Sequence, residues 1–408
     1  MSGGVATREA VRTWVPGAGP FGSSTRSRWD VGALRSTLGA AVRAAWPALA
    51  LYAGLRAVGV LVLWLFAADA NRPLGELLGA YDAIHYGRIA TDGYDDAIVI
   101  RPDGKLTMNN LAFFPLYPGL IRLFDPVLPG GVRSAGILLS WAAGLAAAWG
   151  LYAVGARLRD RRTGVVLAGL WAVIPHALVQ SMGYTETLFT ALAAWSLFGV
   201  LQRRWVLAGV LSLLAGLTRP TGGAVAVAVG LAALVAVVRR RDGWRPWVGG
   251  ALAPLGLLGY IAWVGHRLGE ADGYFRVQAE TWGMSYDFGR STLGVVRRVL
   301  TEPQALAMYV TTGVMLLGVA LLVLLVVERV PWPLVCYAAV VVALAVGGDG
   351  FYYAKARLMV PAFPLLLPVA YALVAARRRA TVLVVFAVLT VISAWYGAYL
   401  ALDWTRSP

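Results

Sequence analysis

Cysteine is almost missing from this chain: its 408 residues include one, Cys336, set inside an apolar run. No intrachain disulfide can form, and the residue says nothing about redox compartment. Charge is scarce as well. Only 14% of residues are Asp, Glu, Lys or Arg, against roughly 25% in soluble domains. With 59% hydrophobic residues and a mean hydropathy of +0.67, that deficit excludes a soluble protein and points to an integral membrane one. Lysine is reduced to Lys105 and Lys355, so the formal charge of +15 comes from arginine, a usage that reads as a GC-rich, bacterial coding bias. The arginines lie in short runs between apolar segments, the pattern of cytoplasmic loops and not of a nucleic-acid surface. Only three histidines occur. His176 and His266 make no metal-ligand spacing with Asp82, so no cofactor is expected, a divalent ion being left open. Heptads and clear internal repeats are absent, and inverted repeats would have pointed to a transporter.

What remains is mostly apolar run. Residues 1–40, rich in Gly, Ser, Pro and Arg, read as a disordered cytoplasmic tail. The run at 44–68 is too long for a signal-peptide core and reads as a first transmembrane helix. Ten more candidates lie at 133–156, 164–181, 185–201, 205–218, 221–238, 247–267, 304–327, 332–347, 358–376 and 381–402. The expectation is an all-α polytopic protein of about eleven transmembrane helices over 41–408. With the tail inside, the inner loops carry Arg157, Arg159, Arg161 and Arg162, then Arg203 and Arg204, then Arg239 to Arg241 with Arg245, then Arg329, then Arg377 to Arg379. The same alternation puts four segments outside: a first loop at 70–132, the Tyr184–Glu186 turn, a second large loop at 268–303, and 348–357.

Polar chemistry concentrates at Tyr81–Tyr94 (YDAIHYGRIATDGY) and Asn110–Pro118 (NLAFFPLYP). On a helix, Asp82, His85, Tyr86 and Ile89 share one face, which reads as an amphipathic interfacial helix ending near Gly93. Phe113, Phe114, Pro115, Tyr117 and Pro118 then read as a stiff aromatic turn at headgroup level. Farther on, Thr218–Gly222 leaves too few residues for an aqueous loop, so Arg219 should sit beside a helix break at Pro220.

The pattern D-A-x-H-[FY]-x-x-I-A-x-x-G-Y followed by N-x-A-F-F-P-x-x-P resembles the family of the second GPI mannosyltransferase (PIG-V-like), within the GT-C superfamily of polytopic glycosyltransferases. Tyr184–Phe189 is similar to the family's Y-[ST]-E-x-L-F, Arg219–Gly222 matches its R-x-N-G except that Thr221 replaces Asn, and Gln278 with Trp282 resembles a looser Q-x-x-x-W element. The resemblance implies a GT-C-like fold and an inverting, polyprenyl-phosphate-mannose-dependent transfer on the external face. Asp82 would be the catalytic base, although GT-C relatives often pair acids where this chain has Ala83. His85, Tyr86, Glu186 and Gln278 would bind substrate sugars. Cations at Arg219, Lys355 and Arg357 suit the donor phosphate, because guanidinium binds phosphate bidentately. Expected partners are the polyprenyl-phosphate sugar donor, a glycan or lipid acceptor and membrane lipids, with no nucleic acid. A transporter or flippase for a lipid-linked glycan is the alternative, using the same cations without a base.

Overall fold

The computed structural model describes residues 31–99 and 107–408. Lys105 and most of the expected disordered tail lie outside the described residues. Two units are distinguished, one ending at Ala44 and one covering Ala45–Pro408. Apart from the first turns of α1, everything described below lies in the second.

Nearly all of the described chain is helical. The helices are α1 (Val31–Asp69), α2 (Leu74–Leu78), α3 (Asp82–Asp92), α4 (Leu116–Phe124), α5 (Gly131–Leu158), α6 (Arg161–Ala172), α7 (Glu186–Leu201), α8 (Trp205–Gly216) and α9 (Gly222–Val238). They continue as α10 (Arg245–Leu252), α11 (Leu255–Leu268), α12 (Gly273–Arg276), α13 (Arg290–Thr301), α14 (Leu306–Val327), α15 (Trp332–Gly347), α16 (Lys355–Leu358), α17 (Leu367–Ala375) and α18 (Arg379–Leu402).

Five of these spans are long and apolar enough to cross a membrane: Gly39–Asp69 of α1, α5, α10 with α11, α14 and α18. A sixth is possible if Tyr352–Leu358 and Phe363–Ala375, bent by 74°, form one broken span. The expected count of about eleven is not reached by length alone, because α7, α8, α9 and α15 have only 12–17 residues. The apolar run at 164–181 is broken as well, α6 stopping at Ala172 before Pro175, a residue that cannot continue the hydrogen-bond ladder. Arg219 does sit in a break, between the end of α8 at Gly216 and the start of α9 at Gly222.

Packing follows the small residues. α5 lies against α6 and α7, and α8 against α7, α9 and α10. A Cβ at Gly155 of α5 would come within 2.7 Å of Gly164 Cα in α6, and one at Gly256 would run into the Leu213 carbonyl oxygen of α8. Such backbone contact is how apolar helices gain dispersion energy where lipid removes the hydrophobic drive. The result is a tight α5–α11 block whose ends carry the polar residues.

Candidate functional site

α3 begins at Asp82, and the residue before it, Tyr81, is held at φ 55°, ψ −118°. A positive φ in a residue with a Cβ is unfavourable, so the surroundings fix how the Asp82 carboxylate leaves the backbone. The helix ends at Gly93, whose φ of 88° suits glycine. Tyr86, Ile89 and Ala90 are buried, and α3 packs on α4 and α5.

The aromatic turn packs into the protein itself. Phe113, Phe114 and Tyr117 are buried, because the protein supplies their neighbours. Phe113 stacks on His85 and meets Tyr86 edge-on, Tyr86 meets Tyr117, and Phe114 packs on Tyr260. Asn110 ties the segment to the end of α3. Its side chain donates to Gly93 O and accepts from Asp95 N, while its own N–H donates to the Asp95 carboxylate. Tyr94 and Tyr260 hydroxyls both donate to Phe113 O.

A second element arrives from α7. Residues before it are pinned by Gly183 N–H donating to Leu78 O at 2.9 Å and by Ser140 Oγ donating to Tyr184 O at 2.7 Å. Thr185 Oγ1 lies 3.2 Å from the Tyr86 hydroxyl. Glu186 then opens α7, where the helix dipole favours an acid. The third element is α16. The chain around it is held by Thr311 donating to Tyr353 O, Tyr337 to Pro361 O and Trp171 Nε1 to Val360 O.

These elements bring Asp82, Glu186, Arg219 and Arg357 into one network. Arg357 Nη2 lies 2.9 Å from Asp82 Oδ2, and its Nε lies 3.4 Å from Glu186 Oε1. Arg219 Nη1 reaches the same Glu186 oxygen at 2.9 Å. Side-chain exposure is 20% for Asp82, 12% for Arg357, 9% for Arg219 and 2% for Glu186, so two acids and two arginines balance each other away from bulk water. The Arg357 guanidinium also lies 5.2 Å from the centre of the Tyr184 ring.

The other expected residues stand around or apart from this network. His85 stacks on Phe113 at 4.9 Å and meets Trp282 edge-on at 5.2 Å, and the Phe113 and Trp282 rings also touch each other, at 5.2 Å. Burial lowers its pKa from the ordinary 6.5, against the opposing pull of the Asp82 charge. Gln278 lies on the π-helical turn Val277–Thr281 and donates to the Tyr274 hydroxyl at 2.9 Å, with Ala112 O at 3.4 Å. Trp282 Nε1 donates to Asn109 O. Lys355 is not brought to Asp82: its ammonium donates to Ala345 O and Gly348 O. It lines a separate cavity of about 350 Å³ with Ser291, Arg298, Asp349 and Tyr352. Among the described residues, no group of three or more His, Cys, Asp or Glu could hold a metal ion.

Two features were not anticipated from the sequence. One is the set Tyr184, Trp404, Arg406 and Ser407 around Arg357 and Tyr353. The other is an apolar groove of about 110 Å³ bounded by Ile174, His176, Val314, Leu317, Met359 and Phe363, with Ala356, the neighbour of Arg357, in its wall.

No family profile matches the sequence, and no curated protein does. Among solved structures, the fold is similar to an Archaeoglobus fulgidus oligosaccharyltransferase in the apo form, with a TM-score of 0.48, 17% identity, and 88% of this chain and 56% of that chain covered. It is similar to the A. fulgidus enzyme tethered with an acceptor peptide, at a TM-score of 0.45, 14% identity and the same coverage. A third is the archaeal oligosaccharyltransferase AglB from A. fulgidus in complex with an inhibitory peptide and a dolichol-phosphate, at a TM-score of 0.42, 15% identity, and 86% and 55% coverage. The chain spans about half the length of these neighbours.

Proposed function

We propose that the protein is a multi-pass glycosyltransferase of the cell membrane, moving a sugar from a polyprenyl-phosphate donor to a hydroxyl of a lipid-linked or cell-envelope glycan on the external face. The observation that carries this reading is the buried network in which Arg357 lies between Asp82 and Glu186 while Glu186 bridges to Arg219.

The reaction asks for those groups together. The acceptor oxygen bonds to the anomeric carbon as the bond from that carbon to the phosphate oxygen breaks, and the hydroxyl proton passes to a base. Asp82 is that base. The leaving phosphate gains charge, which fixed cations stabilise best where water is excluded, and Arg357 presents a planar fork for it. Glu186 orients both arginines. A phosphate drawing on Arg357 also loosens its hold on Asp82, so the carboxylate becomes available as the bond begins to break. His85, backed by Phe113 and the buried Tyr86, gives an aromatic wall for the sugar. The groove beside Ala356 takes the first isoprenes of the donor, its walls being aliphatic and aromatic. Lys355 is left out of the phosphate set, since its ammonium is held by two backbone carbonyls. Resemblance to the PIG-V-like family supports mannose as the sugar and inversion at its anomeric carbon.

The test is incubation of the purified protein with labelled polyprenyl-phosphate mannose and membrane extracts. Label should move to an extractable glycan or glycolipid. Asp82→Asn should lose about 10²- to 10⁴-fold in rate while still binding donor, which a flippase would not require. Turnover in Asp82→Asn within about threefold of wild type, well inside that range, removes Asp82 as the base.

A further inference from the structure

We propose that residues 403–408 form a strap that holds the site closed, with Ser407 occupying on Arg357 the place of a substrate phosphate oxygen. The proposal rests on the donor reading above and adds a gate to it.

After α18 ends at Leu402, the N–H groups of Asp403 and Trp404 both donate to Tyr399 O, at 3.0 and 2.9 Å, and the chain folds back. The Trp404 and Tyr353 rings meet edge-on at 5.5 Å, and the Arg406 guanidinium lies 5.5 Å from the centre of the Tyr353 ring. Ser407 Oγ accepts from Arg357 Nη1 at 3.1 Å and lies 3.4 Å from the Tyr184 hydroxyl. Pro408 is buried.

With Ser407 in place, each guanidinium nitrogen of Arg357 has a polar neighbour. Nη2 faces Asp82, Nε faces Glu186, Nη1 holds Ser407, and Tyr184 lies close to the guanidinium carbon. A phosphate that takes the guanidinium fork through two nitrogens competes with at least one of these groups. Removing a carboxylate strands a buried charge, whereas removing Ser407 breaks one bond to a neutral hydroxyl. The strap is also lightly anchored. Asp403, Thr405 and Arg406 are exposed, and Trp404 Nε1 is buried without a hydrogen-bond partner. Ser407 is therefore the group that yields.

The experiment uses the full chain in a Cys336→Ser background. The alkylation rate of Ser407→Cys is compared with that of Thr405→Cys, an exposed reference, with and without polyprenyl monophosphate. Ser407→Cys should react at least about tenfold more slowly than Thr405→Cys, and saturating lipid should bring the two within about threefold. The corresponding polyprenol, lacking phosphate, should leave the rate unchanged. Ser407→Ala should bind the lipid about tenfold more tightly, reflecting a charge-assisted hydrogen bond no longer competed for. Equal ligand-free rates at 405 and 407 overturn the strap. So does lipid that binds wild type without changing either the thiol rate or the Ser407→Ala affinity, and so does an equal effect from the polyprenol. If the lipid binds neither form, the donor reading fails, and the ligand-free rates alone decide whether the strap is closed.

Discussion

Glu186→Gln probes the network most directly, because it keeps the side chain's shape and removes one charge from between two arginines. At an effective dielectric of ~20, unit charges at 2.9 and 3.4 Å attract by about 6 and about 5 kcal/mol. Those gross figures are offset by repulsion between the arginines and by the desolvation all these groups have undergone. What survives is the cost of breaking a buried pair from one side, about 3–5 kcal/mol. It applies here because the Arg219 and Glu186 side chains are 9% and 2% exposed. After Glu186→Gln, Arg357 keeps Asp82 while the buried Arg219 loses its carboxylate partner. Adding Arg219→Gln restores the balance, so the double variant should be more stable than the sum of the single losses implies, by at least about 2 kcal/mol. The assay is unfolding of the purified proteins by denaturing detergent in mixed micelles, followed by near-ultraviolet circular dichroism. Additivity of the two single losses within about 0.5 kcal/mol would show that the residues are neighbours without energetic coupling, and the charge-balance argument would fail.

Further expectations concern Lys355, Arg357 and His85. Arg357→Met should cut turnover with a polyprenyl-phosphate donor by about a hundredfold, whereas Lys355→Met should leave donor affinity within about twofold and instead lower thermal stability, since Ala345 and Gly348 carbonyls lose their shared donor. Equal catalytic loss in both variants would place Lys355 on the phosphate after all. For His85, the folded pKa is depressed below 6.5 by burial, so the unfolded chain binds this proton more readily than the folded one. Its contribution to stability is complete above pH 6.5 and is lost as pH falls through that value toward the folded pKa. Unfolding measured from about pH 7 to about pH 5 should therefore show a weaker acid slope in His85→Phe than in wild type. An unchanged slope assigns the acid sensitivity to other groups.

The stretch from Asp82 to Gly93 was legible because three signals coincide there: apolar spacing, a starting acid and a stopping glycine. Arg219 was legible as a cation at a break, since Pro220 announces the break. That it pairs with Glu186 was not, because the contact joins the start of α7 to the gap between α8 and α9, and no local pattern encodes that distance. The burial of Phe113, Phe114 and Tyr117 was missed for a related reason. An aromatic turn looks alike whether its neighbours are headgroups or, as here, His85, Tyr260 and Trp282. Lys355 and Arg357 looked equivalent as adjacent cations on one segment, yet two residues apart on a helix point to different sides, one to backbone carbonyls and one to Asp82. Trp404 to Ser407 carried no signal at all, because their role lies wholly in tertiary contact.

The shortness of α8 and α9 reaches beyond the protein into the lipid around it. Twelve and 17 residues make helices of about 18 and about 26 Å, less than the ~30 Å of an average hydrocarbon core. Leu207, Val210, Val227, Leu231 and Leu234 are exposed on them, so these helices present their apolar sides outward. Hydrophobic mismatch there favours a locally thinned bilayer, which would draw the headgroup plane toward the Arg219 break and shorten the path of a lipid-borne phosphate to the buried arginines. Turnover should accordingly be higher in short-chain than in long-chain phosphatidylcholine nanodiscs at equal protein stability. Indifference to chain length would mean that other helices screen this flank from the lipid.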